Sequence, residues 1–494
     1  MLEAFCWPLS VAPGEAAGLH VSTDRGTFDV KVARDGARPE VVWEQRQVPA
    51  GNHATPEDAS SKGCDWPAAV QIPVGDDWRS GYYAVTLTSG DERTDAFLVV
   101  RPGQERAQLI LVLSTNTYNA YNDWGGLSLY TGGNRVSFRR PMARGFLVKP
   151  EPAGRMMQTD PDPEAMGYRN WARPLGLSDW SGGAGWWNWE RPFLHWSERN
   201  GFSVDVAISQ DLEQHPEVLD GHDTFVCVGH DEYWSWKMRD ALDAYTGAGG
   251  NAAIFSGNTC FWQVRYEDDH AAMTCFKYLA HQDPVAGTSD ERFLTGPWAD
   301  RRVGRPEAGS IGLSFTRGGY SRYGNAIPRG NAAFTVWQPD HWAFEGTGLQ
   351  YGDMFGAKDA IVAYEVDGCE LRMRCGVPVP TYGDGAPETL EVLATAPARL
   401  WSQQEQPSRY AHEPGELETV AEAVFGDVTP ENLAKVAANH AVLATFTRPD
   451  RGGTVVNAGV TDWAYGLKGE DPDVDRITRN ILERLTTPIP ADDD

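Results

Sequence analysis

One stretch of the chain, residues 223–242, constrains the fold more than any other. Residues 225–228 are apolar in succession, which is typical of a parallel strand covered on both faces. The run ends in the polar sequence His-Asp-Glu-Tyr at 230–233, and apolar residues then recur at helical spacing from Met238 to Tyr245. Because open α/β sheets bind ligands at the carboxyl ends of their strands, this turn is predicted to carry the chemistry.

Two further apolar runs end in polar residues in the same way. Residues 251–257 read as a buried strand, and residues 109–113 read as another that breaks into a polar and aromatic loop at 114–126, without a helical stripe. If the three strands are neighbours, their ends converge on one cleft. The side chains predicted to line that cleft are Tyr118, Tyr121, His230, Glu232 and Asn258.

The alternation of elements predicts two domains. Residues 1–102 show the period-two alternation of an all-β domain, interpreted as an immunoglobulin-like sandwich. Residues 103–494 alternate strand and helix patterns, which predicts an α/β domain with a mainly parallel sheet. Within it, residues about 132–190 are predicted to form a Gly/Trp-rich loop over the cleft, and residues about 270–400 a β-containing insertion.

Charge and hydropathy exclude several classes of partner. The chain of 494 residues carries a formal net charge of −26, from 69 acidic and 43 basic residues, which would repel nucleic acid and anionic membranes. No run of 18 apolar residues occurs, and the start lacks a basic segment followed by an apolar one. We therefore expect a cytoplasmic protein without a membrane or nucleic-acid partner.

The common catalytic motifs are missing from the sequence. The seven cysteines show no CxxC spacing, so neither a disulfide framework nor a zinc ribbon is indicated. No G-x-S-x-G elbow, Walker loop, dinucleotide fingerprint or H-E-x-x-H motif occurs either. Cys260, which follows one of the predicted strands, is left as an alternative nucleophile.

Tryptophan is unusually abundant, with 19 residues in the chain. Large rings bury loop-rich surface at low entropic cost, and rows of exposed rings can also bind sugars. A non-catalytic or carbohydrate-binding protein is therefore an alternative function. The loop tryptophans that raise it are Trp180, Trp186, Trp187, Trp189 and Trp196.

His230 and Glu232 lie two residues apart, so in an extended segment both side chains point the same way. Such a pair can hold a metal ion or act as paired acid and base. It can equally be a hydrogen-bonded pair with a structural role. Its position between a buried strand and a helix favours the functional interpretation.

Six segments in order along the chain resemble the large, catalytic subunit of N,N-dimethylformamidase. They span about residues 110–465. The segments are TYNAYNDWGGLSLY (117–130), VGHDEYWS (228–235), FSGNTCFWQVR (255–265), PDHWAFEGTGL (339–349), AYEVDG (363–368) and NAGVTDW (457–463).

The resemblance implies a core similar to the class I glutamine amidotransferase (flavodoxin-like) fold and a mononuclear ferric ion, Fe(3+), held by two tyrosines and one glutamate. Glu232 matches the glutamate ligand, and Tyr121 matches one tyrosine. Tyr168 lies where the second tyrosine is expected. Phenolate and carboxylate are hard anionic donors that suit a hard cation.

Three supporting residues follow from the same resemblance. His230 lies beside the glutamate ligand, Asn258 lies in the Ser-Gly-Asn-Thr segment, and Glu365 is implied as the general base, with Glu370 as its nearby alternative. The expected reaction is metal-assisted attack of water on a small linear amide such as N,N-dimethylformamide.

Two other aspects stay open at this level. A non-haem iron oxidoreductase is a further alternative, although its two-histidine, one-carboxylate triad is not evident. A homo-oligomer and a small companion subunit are both compatible with the sequence.

Overall fold

The computed structural model describes residues 1–157, 167–323, 331–405, 414–450 and 452–487. The first hundred residues form two β-sheets, of three strands in the order β1-β3-β6 and of five in the order β2-β8-β7-β4-β5. The strands are β1 (Leu2–Trp7), β2 (Ser10–Val11), β3 (Ala16–Thr23), β4 (Thr27–Arg34), β5 (Glu40–Pro49), β6 (Ala68–Pro73), β7 (Gly81–Ser89) and β8 (Glu92–Val100), with the short helix α1 (Ala59–Lys62) before β6.

These two sheets share one apolar core. Strand β4 alternates buried and more exposed residues, so that Phe28, Val30 and Val32 face inward. Leu19 of β3 and Ile72 of β6 meet them from the other sheet. The alternation in the sequence thus produces a two-layer β-structure, while its immunoglobulin-like topology remains a prediction.

The rest of the chain is organised on a nine-stranded sheet, counted over the described ranges. Its strands are β9 (Leu109–Leu113), β11 (Val204–Ile208), β12 (Thr224–His230), β14 (Asn251–Gly257), β18 (Phe334–Val336), β19 (Met354–Phe355), β23 (Glu391–Ala398), β24 (Asn439–Thr447) and β25 (Thr454–Asn457). Their order in the sheet is β11-β9-β12-β14-β25-β24-β23-β18-β19.

One half of this sheet is parallel and the other antiparallel. The neighbours from β11 to β25 pair in parallel, whereas β24, β23, β18 and β19 pair antiparallel. The sheet is therefore mixed rather than mainly parallel. Strands β18, β19 and β23 come from the region predicted to be an insertion, so that region extends the main sheet instead of standing apart from it.

Shorter strands and the helices surround this sheet. The remaining strands are β10 (Arg135–Ser137), β13 (Tyr233–Ser235), β15 (Trp262–Glu267), β16 (Ala272–Thr274), β17 (Ser314–Tyr320), β20 (Glu365–Gly368), β21 (Leu371–Arg374) and β22 (Val377–Pro380). The helices are α2 (Thr115–Tyr121), α3 (Gly167–Ala172), α4 (Glu190–Arg199), α5 (Asp211–Gln214), α6 (Trp236–Gly247), α7 (Ala308–Ile311), α8 (Glu416–Phe425), α9 (Pro430–Ala437), α10 (Trp463–Lys468) and α11 (Pro472–Thr486).

Most elements that the sequence predicts around the site are confirmed, with one exception. Strands β9, β12 and β14 lie where the apolar runs predict them. The loop predicted after β9 is wrong, because residues 115–121 form α2. All seven of its residues are buried although Thr115, Asn116, Thr117 and Asn119 are polar, so the helix lacks the apolar stripe from which a helix on the surface is recognised.

Helix α6 starts immediately after the His-Asp-Glu-Tyr turn. The Ser235 hydroxyl accepts a hydrogen bond from the Met238 main-chain N–H at 3.2 Å, which satisfies a donor at the helix start. This cap fixes where the strand ends and the helix begins. Within the described ranges, no helix is both long and apolar enough to cross a membrane.

Candidate functional site

Four polar side chains meet at the carboxyl ends of the central parallel strands. His230 is the last residue of β12, Glu232 follows two residues later, and Asn258 follows β14. Glu365 is the first residue of β20 and comes from the far side. Each is at most 3% exposed. We call these four residues the site cluster.

His230 is the centre of the site cluster. Its Nδ1 donates a hydrogen bond to the Gly183 carbonyl at 2.7 Å. Its Nε2 lies 2.7 Å from Glu365 Oε2 and 3.3 Å from Glu232 Oε2. Asn258 Nδ2 donates to the same Glu365 oxygen at 2.8 Å. One imidazole therefore separates two carboxylates, and Asn258 holds one of them in place.

A glycine makes this close approach of strands feasible. A Cβ atom on Gly257 would lie 2.4 Å from the Glu365 carbonyl oxygen and 2.6 Å from the Thr461 nitrogen, so no larger residue fits between β14 and these segments. The next residue, Asn258, has φ 51°, a left-handed conformation that Asn tolerates better than most residues. The Ser-Gly-Asn sequence thus turns the Asn258 carboxamide toward Glu365.

Glu232 is surrounded by aromatic hydrogen-bond donors. The Tyr130 hydroxyl lies 2.9 Å and 2.7 Å from its two carboxylate oxygens, and Trp262 Nε1 donates to Oε1 at 2.6 Å. The Tyr233 hydroxyl donates to the Tyr130 hydroxyl at 2.8 Å. The Glu232 carboxylate is therefore held in place by hydrogen bonds from a phenol and an indole.

The electrostatics of the site cluster are set by burial and by the charges of its members. Burial lowers the pKa of His230, but Glu365 and Glu232 outweigh burial and raise it to about 9. Burial raises the pKa of Glu365, but the His230 charge and its hydrogen bonds outweigh burial and lower it. The pKa of Glu232 is raised by burial and by Glu365, against the charges of His230 and Lys277. Glu365 is thus ionised at neutral pH.

Tyr121 packs beside the site cluster. Its ring centroid lies 4.0 Å from that of Tyr130 and 5.5 Å from that of His230. The residue is 3% exposed, and burial raises the pKa of its hydroxyl well above the usual range. Tyr121 and Glu232 are therefore neighbours of the same histidine, as the resemblance implies.

Tyr168 lies elsewhere than the predicted ligand set requires. Its hydroxyl is 2.7 Å from the Ser181 hydroxyl, and a Cβ on Gly182 would lie 2.7 Å from its ring. In the described part of the chain, it is Tyr130 that contacts Glu232. The contact with Glu232 makes Tyr130 a candidate for the second tyrosine beside Tyr168, and the ligand set itself stays a prediction.

Three other predicted residues, Glu365, Glu370 and Tyr118, differ in whether they lie at the site. The Glu370 main chain donates to Asp384, and it is Glu365 that contacts His230. Tyr118, predicted to line the cleft, packs against Phe97 of the N-terminal sheets at 6.4 Å between ring centroids. Of the two candidate bases, Glu365 alone is placed within the site cluster.

Three residues at the site were missed by sequence reasoning: Tyr130, Trp262 as a partner of Glu232, and Lys277. Tyr130 ends the first of the resembling segments, so that motif contained the signal. Lys277 has none, because it is the first residue of a short 3-10 helix (Lys277–Gln282) and has φ 52°. Its ammonium lies 3.3 Å from the Tyr130 ring centroid, close enough for a cation–π contact.

Two alternatives from the sequence are not supported by burial. Trp186, Trp189 and Trp196 are at most 4% exposed, so they pack into the core rather than form an open sugar-binding row. Cys260 is 1% exposed, and burial raises the pKa of its thiol well above the usual range. A thiol held in its neutral form is a poor nucleophile.

The donor set around Glu232 fits a hard metal ion. No group of three or more His, Cys, Asp or Glu side chains suited to a metal ion occurs in the ranges that the structure describes, but phenols lie outside those residue types. Tyr121, Tyr130 and Glu232 together offer two phenolate oxygens and a carboxylate. Among the described residues, the buried Asn258 Oδ1 atom has no hydrogen-bond partner, which leaves a polar position open beside His230 and Glu365.

Comparison with known proteins identifies a family for the chain. A family model described as "N,N-dimethylformamidase beta subunit-like, C-terminal" matches residues 29–476. The N,N-dimethylformamidase beta subunits of Paracoccus aminophilus and of an Alcaligenes species are each 27% identical to the chain over 214 residues. That match covers 41% of this chain and 28% of each relative, well under two thirds of the relatives' length.

Proposed function

Because the chain belongs to the N,N-dimethylformamidase beta subunit-like family, whose model matches most of its length, we propose that it hydrolyses the carbon–nitrogen bond of a small linear amide. The observation that carries this proposal is the site cluster, in which His230 lies between the carboxylates of Glu232 and Glu365. The names of the relatives supply the substrate class.

We further propose that the site holds one ferric ion through Tyr121, Tyr130 and Glu232. These residues supply hard anionic oxygen donors from three different positions in the chain. When bound, the ion supplies Lewis acidity to the buried site. The raised pKa values of the two phenols come first from burial, and a bound cation would favour their ionised forms.

Glu365 is proposed to act as the general base. Its carboxylate is ionised, because the His230 charge lowers its pKa against the effect of burial. It accepts a proton from the attacking water as the water oxygen bonds to the amide carbonyl carbon. The same proton then passes to the amide nitrogen as the carbon–nitrogen bond breaks, which yields a carboxylic acid and an amine.

Asn258 and His230 are proposed to stabilise the oxygen that gains negative charge. The imidazolium of His230 is favoured by a pKa raised to about 9, and the Asn258 carboxamide already donates toward the same region. Donors fixed in a buried site need little reorganisation during the reaction, so such groups contribute strongly to catalysis. Neither side chain needs to move to reach its partner Glu365.

The proposal is tested by assaying N,N-dimethylformamide and a series of N-alkyl amides for release of amine and acid. The purified chain should hydrolyse at least one of them, and the Glu232→Ala variant should hydrolyse none. Glu370→Ala is the control for loss of a carboxylate, since Glu370 lies close to Glu365 in sequence but outside the site cluster. Absence of hydrolysis by the iron-reconstituted chain, across the whole series, would contradict the proposal.

Because the relatives are named as beta subunits, we also propose that the active form is an assembly of copies of this chain, with or without a companion subunit. Light scattering of the purified chain measures its mass in solution. A monomer with full activity would contradict this part of the proposal.

A further inference from the structure

A short turn at residues 181–184, which we call the carbonyl turn, carries the hydrogen-bond acceptor of His230. The Gly183 carbonyl accepts from His230 Nδ1 at 2.7 Å. A carbonyl oxygen can only accept, so this contact requires a proton on Nδ1. It leaves Nε2 to face Glu365 and Glu232. The position of one main-chain oxygen therefore decides how the imidazole is oriented.

Asn188 holds the carbonyl turn from behind. Its Nδ2 donates to the carbonyls of Ser181, Gly182 and Ala184, at 3.0, 3.3 and 2.9 Å. These are the carbonyls on either side of Gly183, so the Gly183 oxygen alone is left for His230. Asn188 is 3% exposed, and its contacts are protected from water.

Lys149 holds Asn188 in turn. Its Nζ donates to the Ser181 carbonyl at 2.8 Å and to the Asn188 side-chain oxygen. Lys149 is 3% exposed, and in the described residues no carboxylate forms an ion pair with it. A buried ammonium without a counter-ion is costly, and burial accordingly lowers the pKa of Lys149 well below its usual range. Its hydrogen bonds all go to the carbonyl turn or to the residue that holds that turn.

The carbonyl turn is also confined by rings on two sides. A Cβ on Gly182 would lie 2.7 Å from the Tyr168 ring, and a Cβ on Gly183 would lie 2.7 Å from the Tyr121 ring. The Lys149 ammonium lies 4.9 Å from the Tyr168 ring centroid. Tyr168 therefore packs on the outside of the turn, while the inside contacts the proposed ligand Tyr121.

We propose that Asn188 and Lys149 are positioning residues that fix the Gly183 carbonyl on His230 Nδ1 and thereby aim His230 Nε2 at Glu365. They contact neither Glu365 nor Glu232 themselves and act through the carbonyl turn. Histidines in catalytic sites are commonly oriented by an acceptor on the second ring nitrogen. The kinetic part of this inference rests on the proposed function, whereas the hydrogen bond can be measured without it.

The kinetic test is a double-mutant cycle on amide hydrolysis, with Asn188→Ala, His230→Ala and the double variant. Asn188→Ala should lower kcat by about 10- to 100-fold with little change in KM, as is typical when an outer contact of a catalytic histidine is removed. In the His230→Ala background the same change should cost less than about 3-fold, because residues that act through one another are not additive. Full additivity of the two losses would overturn the proposal.

Two variants guard against a general loss of folding. Asn188→Asp keeps the size of the side chain and its contact with Lys149 but removes the donors to the carbonyl turn, so it should lose as much activity as Asn188→Ala. Asn251→Ala is the matched control, because the Asn251 carboxamide also bonds a main-chain carbonyl, at 2.8 Å, but at the amino end of β14. It should leave kcat within about 3-fold. An Asn188→Asp variant with normal kcat would overturn the proposal.

A spectroscopic test separates this inference from the proposed function. In the ¹⁵N-histidine-labelled protein prepared without iron, so that no paramagnetic ion broadens the signal, the His230 Nδ1–H should give a low-field proton signal that exchanges slowly and is absent from His230→Ala. Asn188→Ala and Lys149→Met should broaden or shift that signal, while Asn251→Ala should not. If the signal is unchanged in both variants, the inference fails even where amides are hydrolysed. If no amide is hydrolysed but the signal responds as expected, the proposed function alone fails.

Discussion

Two regions of this chain that are rich in charged side chains balance those charges in different ways. The first is the site cluster, where two carboxylates face one histidine and Asn258 Oδ1 has no hydrogen-bond partner within the described part of the chain. The second, which we call the arginine cluster, lies around helix α6. It comprises Arg239, Asp243, Arg305 and Arg448.

In the arginine cluster each charged side chain forms hydrogen bonds or ion pairs with its neighbours. The Asp243 carboxylate accepts from Arg305 and Arg448, both at 2.7 Å. Arg239 donates to the main-chain carbonyl of Arg305 at 2.6 Å, to that of Pro306 at 3.1 Å, and to the Ser310 hydroxyl. Such groups stabilise a fold. In the site cluster, by contrast, the carboxylates of Glu232 and Glu365 lie close to one another. Such an arrangement of like charges is typical of functional sites.

The largest effect that sharpens this contrast is expected for Glu232→Ala. Removing this carboxylate should reduce amide hydrolysis by at least about 10³-fold, equivalent to roughly 4 kcal/mol of barrier, and should abolish iron binding. The melting temperature should change little, because the site loses one of two like charges. Kinetics, metal analysis and calorimetry measure the three properties. Iron retained at the wild-type level would show that Glu232 is not a ligand.

The next effect concerns the proposed base. Glu365→Gln keeps the size of the side chain and an acceptor for Asn258 but cannot take a proton from water. We expect hydrolysis to fall by about 10²- to 10⁴-fold with iron content unchanged, as measured on the same preparation. A wild-type rate in this variant, together with a loss in Glu370→Gln, would move the base to Glu370.

The arginine cluster should respond in the opposite sense. Arg239→Met removes a guanidinium that is 1% exposed and leaves two main-chain carbonyls without their donor. The free energy of unfolding should fall by about 2–4 kcal/mol, measured by urea denaturation. The kcat/KM of the folded variant should stay within about 3-fold of wild type. A loss of kcat/KM well beyond 3-fold with an unchanged free energy of unfolding would contradict the distinction between the two regions.

The smallest effect is a pH dependence beside the arginine cluster. Burial raises the pKa of Glu307 to about 7, against hydrogen bonds and the Arg239 charge. The folded state therefore favours the protonated carboxyl, so the contribution of Glu307 to stability is present below its unfolded pKa and is lost as the pH rises through 7. Between pH 5 and 8 this loss is at most about 3 kcal/mol.

Glu307→Gln should remove that contribution to the pH dependence. Urea denaturation at pH 5 and pH 8 compares the two proteins. The difference in stability between the two pH values should be smaller for the variant than for wild type. Equal differences would show that Glu307 does not bind a proton on folding in this range.

The sequence predicted best where apolar runs were long and unbroken. The apolar runs predict strands β12 and β14, and the ends of these strands place His230, Glu232 and Asn258 together. Glu365 is predicted only from the resemblance of its segment to a family. Local patterns do not indicate it, because 107 residues separate it from its partner Asn258 in the sequence.

The features that the sequence does not predict depend on tertiary contacts, which a local sequence pattern does not reveal. Helix α2 is buried all round, so it shows no stripe. Strands β18 and β19 have three and two residues, too few for a period to be read. Tyr130 reaches the site from a turn and Lys277 from the start of a short 3-10 helix, and no spacing rule connects them to Glu232.

The most direct test of the central claim is the iron content and visible absorption spectrum of the purified chain after reconstitution with ferric ion. We predict about one iron per chain, with a phenolate-to-iron charge-transfer band that weakens in Tyr130→Phe and disappears in Glu232→Ala. In Tyr168→Phe the band should persist, since Tyr168 contacts Ser181 instead. A colourless protein without bound iron would contradict the account of this site as a tyrosine and glutamate iron centre.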